Sequence, residues 1–194
     1  TEGDVGQTIK SLMGRIPTRI PNPMALNMYT LGFNNKKKLV SLNQAVKENL
    51  KTYLSQYRMV TDAVNIKNAW IINIGVKFSI MTKRNTNKNE VTLRCIEAVK
   101  DFFNIDTWQI NQPIIVSDIA YKLSLVDGVA SVIPPVKDDG TLGLPVEVFC
   151  RWNTDEGYSG NIYDIKSATK NGVIYPSVDP SIFELKFPNV DIQG

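Results

Sequence analysis

The stretch WQINQPIIVSDIAYKLSLVDGVASV, residues 108–132, places Ser117, Asp118 and Asp127 within one run and so raises the question of a nucleophile beside carboxylates. A serine nucleophile needs an activating base, and the 194-residue sequence contains no histidine. The same lack removes Cys-His activation, imidazole metal ligation and the commonest general base. A structural reading accounts for all three residues. Ser117 precedes an apolar-periodic run and is placed to cap a helix, with Asp118 facing the positive end of the helix dipole. Asp127-Gly128 falls where a left-handed glycine ends that helix and opens the next strand.

Other candidate chemistry is equally sparse. The pairs Asp138-Asp139 and Asp155-Glu156 sit in turn-like runs with no apolar surroundings to shift a pKa. The loop NTDEGYSGNIYD, residues 153–164, resembles a calcium loop in composition. Aligning either glycine with the sixth loop position leaves the liganding positions and the terminal glutamate unfilled. No glycine cluster has the spacing of a dinucleotide fingerprint or a P-loop. The expectation is therefore no enzyme: no catalytic residue, no cofactor-binding residue and no metal ligand. The basic blocks Lys36–Lys38 and Lys83, Arg84 and Lys88, the latter with Trp70 nearby in sequence, leave one alternative, a non-enzymatic nucleic-acid-binding module. Block charge of this kind is normally a solvated loop.

Composition agrees with an ordinary globular chain: 43% hydrophobic, 21% charged and a net charge of +3. That charge is well short of a dedicated nucleic-acid binder. The longest apolar run, AWIINIGVKFSIM, is broken by Asn73, Gly75 and Lys77 and is shorter than the roughly 20 residues that a membrane helix needs. No membrane insertion is expected. The N-terminal residues lack the pattern of a secretory signal, so synthesis in the cytoplasm is the simpler expectation. Cys95 and Cys150 each continue an apolar pattern and are expected to be reduced and buried.

The elements that must position these residues suggest an α+β fold. Residues 1–40, rich in glycine and proline, read as an irregular N-terminal arm with room for one short helix, in which 34–39 form a basic turn. Ser41 and Gln44 have capping-box spacing, so a helix should start at Leu42 and bury Leu42, Val46, Leu50, Tyr53, Leu54 and Tyr57. Strict alternation over 72–80 predicts a strand covered on one face by Ile72, Ile74, Val76, Phe78 and Ile80. A shorter strand over 59–66, turning at Lys67-Asn68, would pair with it as a β-hairpin. A helix capped by Asn89 should carry Val91, Cys95, Ile96, Val99, Phe102 and Phe103 inward. The capped helix at Ser117 and a strand over 129–135 complete a core domain, residues 41–135. Residues 136–194 read as a β/loop-rich C-terminal extension with a strand at 146–152 and a hairpin at Asn171-Gly172.

Three of these runs, LNQAVKENLKTYLSQYRMVTD, INIGVKFSI and EVTLRCIEAVKDFFNIDTWQINQPIIVSDIAYKLSLVDGVASV, resemble the baseplate J-like family of contractile phage tails. The most recognisable piece is WQINQPIIVSDI followed by VDGV. The resemblance covers roughly half of the chain. It implies a structural virion protein of the tail baseplate, without catalytic positions, that associates with itself as a homodimer and with other baseplate wedge subunits. It also implies that the chain is the C-terminal portion of a longer protein. The arm and the tail from residue 152 carry apolar residues with no evident internal use, so they are expected to supply much of the contact surface.

Overall fold

The computed structural model describes residues 25–57, 63–136, 140 and 142–194. The elements run β1 (Ala25–Thr30), β2 (Gly32–Phe33), β3 (Leu39–Val40), α1 (Gln44–Ser55), β4 (Ala63–Asn68), β5 (Trp70–Phe78) and β6 (Ile80–Thr82). Then come α2 (Lys88–Phe102), β7 (Ile114–Ile115), α3 (Val116–Ser124), β8 (Val129–Val132) and β9 (Val146–Arg151). A 3-10 turn (Thr154–Glu156), α4 (Ile165–Ala168), β10 (Thr169–Lys170), β11 (Val173–Ile174), β12 (Ser181–Glu184), α5 (Pro188–Asp191) and β13 (Ile192–Gln193) follow. The class is mixed α+β, as the periodicities imply.

The nine residues of β5 form the centre of the main sheet. One edge pairs antiparallel with β9, from Asn73 opposite Arg151 to Phe78 opposite Val146. The other edge pairs parallel with two strands in succession, β12 alongside residues 70–73 and β13 alongside 76–77. A strand paired on both edges and parallel on one is normally covered on both faces. Accordingly Ile72, Ile74 and Val76 have no exposure, and Asn73 on the opposite face has none either. The expected solvent face is thus buried. Asn73 tolerates this because both ends of its amide are paired: Nδ2 donates to Glu184 at 2.8 Å and Oδ1 accepts from the Ser159 N–H at 2.8 Å. Gly75 is small for a packing reason, since a Cβ there would stand 2.5 Å from the Phe149 ring. Ile80 belongs to the separate strand β6, which pairs with β8.

The expected hairpin between 59–66 and β5 does not form. β4 pairs with β1 instead, and the 59–62 part of that expectation lies outside the described residues. Lys67 and Asn68 continue β4 rather than turning. Residues 25–40, expected as irregular arm, hold three short strands. The basic turn is as read: Asn34 Oδ1 accepts from the Lys36 and Lys38 N–H groups at 2.9 Å, closing β2 onto β3. Leu39 of β3 then enters the core, 3% exposed. Nor is 136–194 an appendage, because β9, β12 and β13 are three of the four strands of the main sheet. The Asn171-Gly172 hairpin joins β10 to β11 with both turn residues at positive φ, and β11 pairs onward to β7.

By internal contacts the chain divides into two units, Thr1–Met28 with Asn43–Lys67, and Tyr29–Leu42 with Asn68–Gly194. The first contains α1, and the second contains the main sheet with α2 and α3. α2 and α3 pack on each other, and α3 packs on β8 and β9. Val91, Cys95 and Val99 of α2 are buried, as are Ile119 and Leu123 of α3.

The helix caps fall elsewhere than the sequence suggests. Asn43, not Ser41, caps α1, its Oδ1 accepting from the Val46 N–H at 2.9 Å. Asn87, not Asn89, caps α2. Ser117 lies inside α3, whose N-cap is Ile115 and has no side-chain cap bond. The β7 pairing carries Ile115 directly into the helix, and the Val116 N–H donates to Gly172 O at 3.0 Å, so a donor that would await a cap is already satisfied. Asp118 does occupy the first turn. α3 ends at Ser124, and Gly128 (φ +95°) makes the turn into β8 where a Cβ would meet Val91 at 2.5 Å. Ser117→Ala is therefore expected to leave stability within about 0.5 kcal/mol of the parent. Asn87→Ala should cost about 1 kcal/mol. Urea unfolding followed by circular dichroism on the three proteins checks both.

Candidate interaction surface

Two buried carboxylates are where acid-base chemistry would first be sought. Glu184, 3% exposed, accepts from the Leu39 N–H and Asn73 Nδ2, both at 2.8 Å. Burial pushes its pKa upward, outweighing those two donors and the Lys186 and Lys38 charges. Asp191 has no exposure and accepts from the Tyr158 hydroxyl and, at 2.7 Å, from the Phe187 N–H. The Arg151 guanidinium approaches it at 3.4 Å without an aligned hydrogen bond, and burial again wins, holding the Asp191 carboxyl above its usual value. Burial also raises the Tyr158 phenol, with the Asp191 contact adding to it. Neither carboxylate was singled out in the sequence. Both act as clamps: Glu184 fastens β12 to β3 and β5, and Asp191 fastens α5 to the 158–161 loop.

The residues that were singled out are not brought together. Ser117, Asp118 and Asp127 are exposed. Asp127 lies 3.9 Å from Lys83 and 3.8 Å from Arg94 in surface ion pairs of little energetic weight. Asp155 and Glu156 belong to the 3-10 turn capped by Asn153, and Asp138-Asp139 lie outside the described residues. Among the described residues no three acidic, cysteine or histidine side chains group as metal ligands, and no helix is long and apolar enough to cross a membrane.

The two basic blocks stand at opposite ends of α2. Lys37 and Lys38 share a cleft of about 230 Å³ with Lys100, Asp101 and Glu184 near its C-terminal end, whereas Lys83, Arg84 and Lys88 precede its N-terminus. A 15-residue helix is about 22 Å long, twice the screening length of about 10 Å in 0.1 M salt. Trp70 is set apart from the second block by the whole of β5. The blocks are two separate patches.

Apolar surface is the more prominent feature. α1 carries no buried residue, and Val46, Tyr53 and Tyr57 of its expected inward stripe are 44%, 57% and 73% exposed. Val46, Leu50, Tyr53 and Tyr57 follow the 4-3-4 spacing of a helix-pairing seam. α3 is apolar on two faces: Ile119 and Leu123 point inward, while Tyr121 and its C-cap Leu125 remain about two-thirds exposed. They line a groove of about 450 Å³ with Phe102 and Val126. A cleft of about 270 Å³ adjoins it, sharing Phe102, Asp118 and Lys122, and has Trp108 in its wall. Val136, Leu142 and Leu144 are also exposed by about two-thirds. The tail is divided: Tyr158 and Phe183 are buried and Tyr163 packs on the core, whereas Trp152, Ile162, Tyr175 and Val178 are half or more exposed. The outward pair 121 and 125, four residues apart on a helix whose core stripe is 119 and 123, was the sequence signal for the groove.

Compared with known proteins, the chain matches no family model and no curated protein.

Two outcomes follow from the buried groups. Glu184 and Asp191 bind protons more tightly in the folded state than in the unfolded chain, so their contribution to stability falls as pH rises from the ordinary carboxyl range through their folded values. Glu184→Gln should flatten the decline in urea midpoint measured from pH 4.5 upward. Cys95, fully buried, has its thiol pushed up to about 11 by burial, and Cys150, only partly buried, is also raised. Neither is in a disulfide. A thiol-reactive chromophore at pH 8 should label Cys150 slowly and Cys95 only on unfolding.

Proposed function

We propose that this chain is a non-enzymatic structural component of a contractile phage tail baseplate, a wedge and inner-ring scaffold of the virion that acts through contacts with its own copies and with other wedge subunits. The observation that carries the protein-contact part is α1, a 12-residue helix without a buried residue that keeps an apolar seam. Isolated helices of this length are marginal in water, and most helical stability comes from packing of an apolar face. A second copy supplies a matching seam, and closed two-fold association is the commonest outcome for identical chains. The baseplate assignment is supported by the resemblance of the WQINQPIIVSDI and VDGV runs. Those runs form the end of the connection from α2, β7, the first turn of α3 and the turn into β8, so they belong to one structural piece rather than to scattered surface.

Part of residues 152–194 serves the core, and the exposed Trp152, Ile162, Tyr175 and Val178 stay available beside α1 and the exposed side chains of α3 as contact surface. Sedimentation equilibrium of the chain across concentration tests the proposal, compared with a Leu50→Ser, Tyr53→Ser double variant. The expected result is a concentration-dependent dimer that the double variant weakens at least tenfold, with the circular dichroism of the main sheet unchanged. A monomer at every concentration, or a dimer indifferent to the substitutions, would remove α1 from the account.

A further inference from the structure

The hairpin tip at Asn171-Gly172 joins reactive chemistry to a structural duty. Asn171 is the one asparagine in the sequence that is followed by glycine. Both residues are exposed, at φ +52° and +76°, in a two-residue turn of the kind that favours this pair. Neither the Asn171 side-chain amide nor the Gly172 N–H makes a hydrogen bond among the described residues. A Cβ at Gly172 would find no atom within 4 Å, and glycine takes up either sign of φ without steric cost, so the peptide between the two residues is free to rotate. Only two residue pairs, Thr169 opposite Ile174 and Lys170 opposite Val173, close the hairpin behind the tip. Short exposed elements of this kind open locally at a lower free energy than the core.

The same tip holds α3 in place. Gly172 O accepts the Val116 N–H at 3.0 Å, and Ile115, the N-cap of α3, supplies no side-chain bond. The first amide of α3 therefore has its acceptor in the hairpin. β11 extends the contact, with Val173 opposite Ile115 and Ile174 opposite Ile114, and both Ile114 and Ile174 are buried.

We infer that Asn171 is a self-modifying site, at which spontaneous deamidation to isoaspartate detaches the start of α3 from the hairpin. The Gly172 nitrogen loses its proton to solvent and attacks Asn171 Cγ. The bond from Cγ to the side-chain nitrogen breaks, and that nitrogen leaves as ammonia after taking a proton from water. Water then opens the five-membered succinimide at either carbonyl, giving aspartate or isoaspartate. Nothing is oxidised or reduced, and water is the only co-reactant. In isoaspartate the main chain runs through the side-chain carbons, which inserts one methylene before the Gly172 nitrogen and leaves a carboxylate on Cα. A two-residue turn fixes the register of its hairpin, so the lengthened link carries Gly172 O away from Val116. The inference stands apart from the baseplate reading and from α1.

The test ages the intact chain at pH 8.5 and 37 °C, maps the products by peptide mass spectrometry and scores isoaspartate with an isoaspartate-specific methyltransferase. Mapping is needed because Asp127-Gly128 can isomerise through the same ring. The expected result is deamidation at Asn171 at least tenfold faster than at any other asparagine, with isoaspartate located there. Hydrogen exchange of the Val116 amide, followed by nuclear magnetic resonance, should be at least tenfold faster in the aged chain than in the fresh one. It should not change on ageing in Asn171→Gly, which keeps a permitted turn but has no side-chain amide. Freshly prepared Asn171→Asp, which has the charge without the inserted methylene, should exchange like the fresh parent. Deamidation at Asn171 no faster than elsewhere would overturn the modification site. Unchanged Val116 exchange in the modified chain, or an equal gain in fresh Asn171→Asp, would overturn the detachment.

Discussion

Hydrogen bonding along both edges of β5 is the constraint on which the rest of the structure depends. A strand with Ile72, Ile74 and Val76 fully buried cannot leave its backbone groups unpaired, because a buried orphan amide costs as much as a lost hydrogen bond. The nearest strand in sequence, β4, is used elsewhere, so the partners come from far down the chain. β9 closes one edge, and the last fourteen residues close the other. The Asn73–Glu184 bond spans 111 positions and the Leu39–Glu184 bond spans 145. Such closure is slow to form and depends on the C-terminal segment being present.

That demand explains the placement of polar groups in an otherwise apolar centre. Parallel pairing closes the second edge of β5, and the 158–161 loop reaches its Asn73 face through the Ser159 N–H and satisfies Ile71 O with the Ser159 hydroxyl and Asn161 Nδ2, at 2.9 and 2.7 Å. Glu184 and Asp191 stay buried because each meets two or more donors, although burial still raises both. A buried charge that lost one of these partners would be strongly destabilising, whereas the intact arrangement adds little net stability and much register specificity. Among the described residues, the apolar side chains that this closure leaves exposed include Val46 and Tyr53 of α1, Tyr121 and Leu125 at α3, Leu142 and Leu144, and Trp152, Ile162, Tyr175 and Val178 of the tail.

What the sequence disclosed follows from the range of the interactions. Local signals were legible: the α2 stripe of Val91, Cys95 and Val99, the Asn34–Lys38 turn, the β9 alternation and the Asn171-Gly172 hairpin each depend on neighbours within a few residues. Signals that depend on a distant partner were misread. Asn73 and Gly75 read as a solvent face because nothing local announces Glu184, Ser159 or Phe149 above them. Ser117 read as a cap because nothing local reveals that β7, held by β11, already delivers the chain into α3. The α1 stripe read as core because amphipathicity marks a face that needs a partner without saying whether that partner lies in the same chain. The groove at Tyr121 and Leu125 was present in the spacing but hidden by the stronger inward stripe.

The central claim is that this chain works as a structural module through protein contacts in a tail baseplate. Electron microscopy of assembled wedges, with the chain located in the density, tests it most directly. The account predicts that the main sheet appears as a unit within the baseplate ring, with the α1 seam and the outward face of α3 covered by neighbouring protein. Density that accommodates the chain nowhere in the wedge, or that leaves both surfaces facing solvent in the assembled ring, would contradict it.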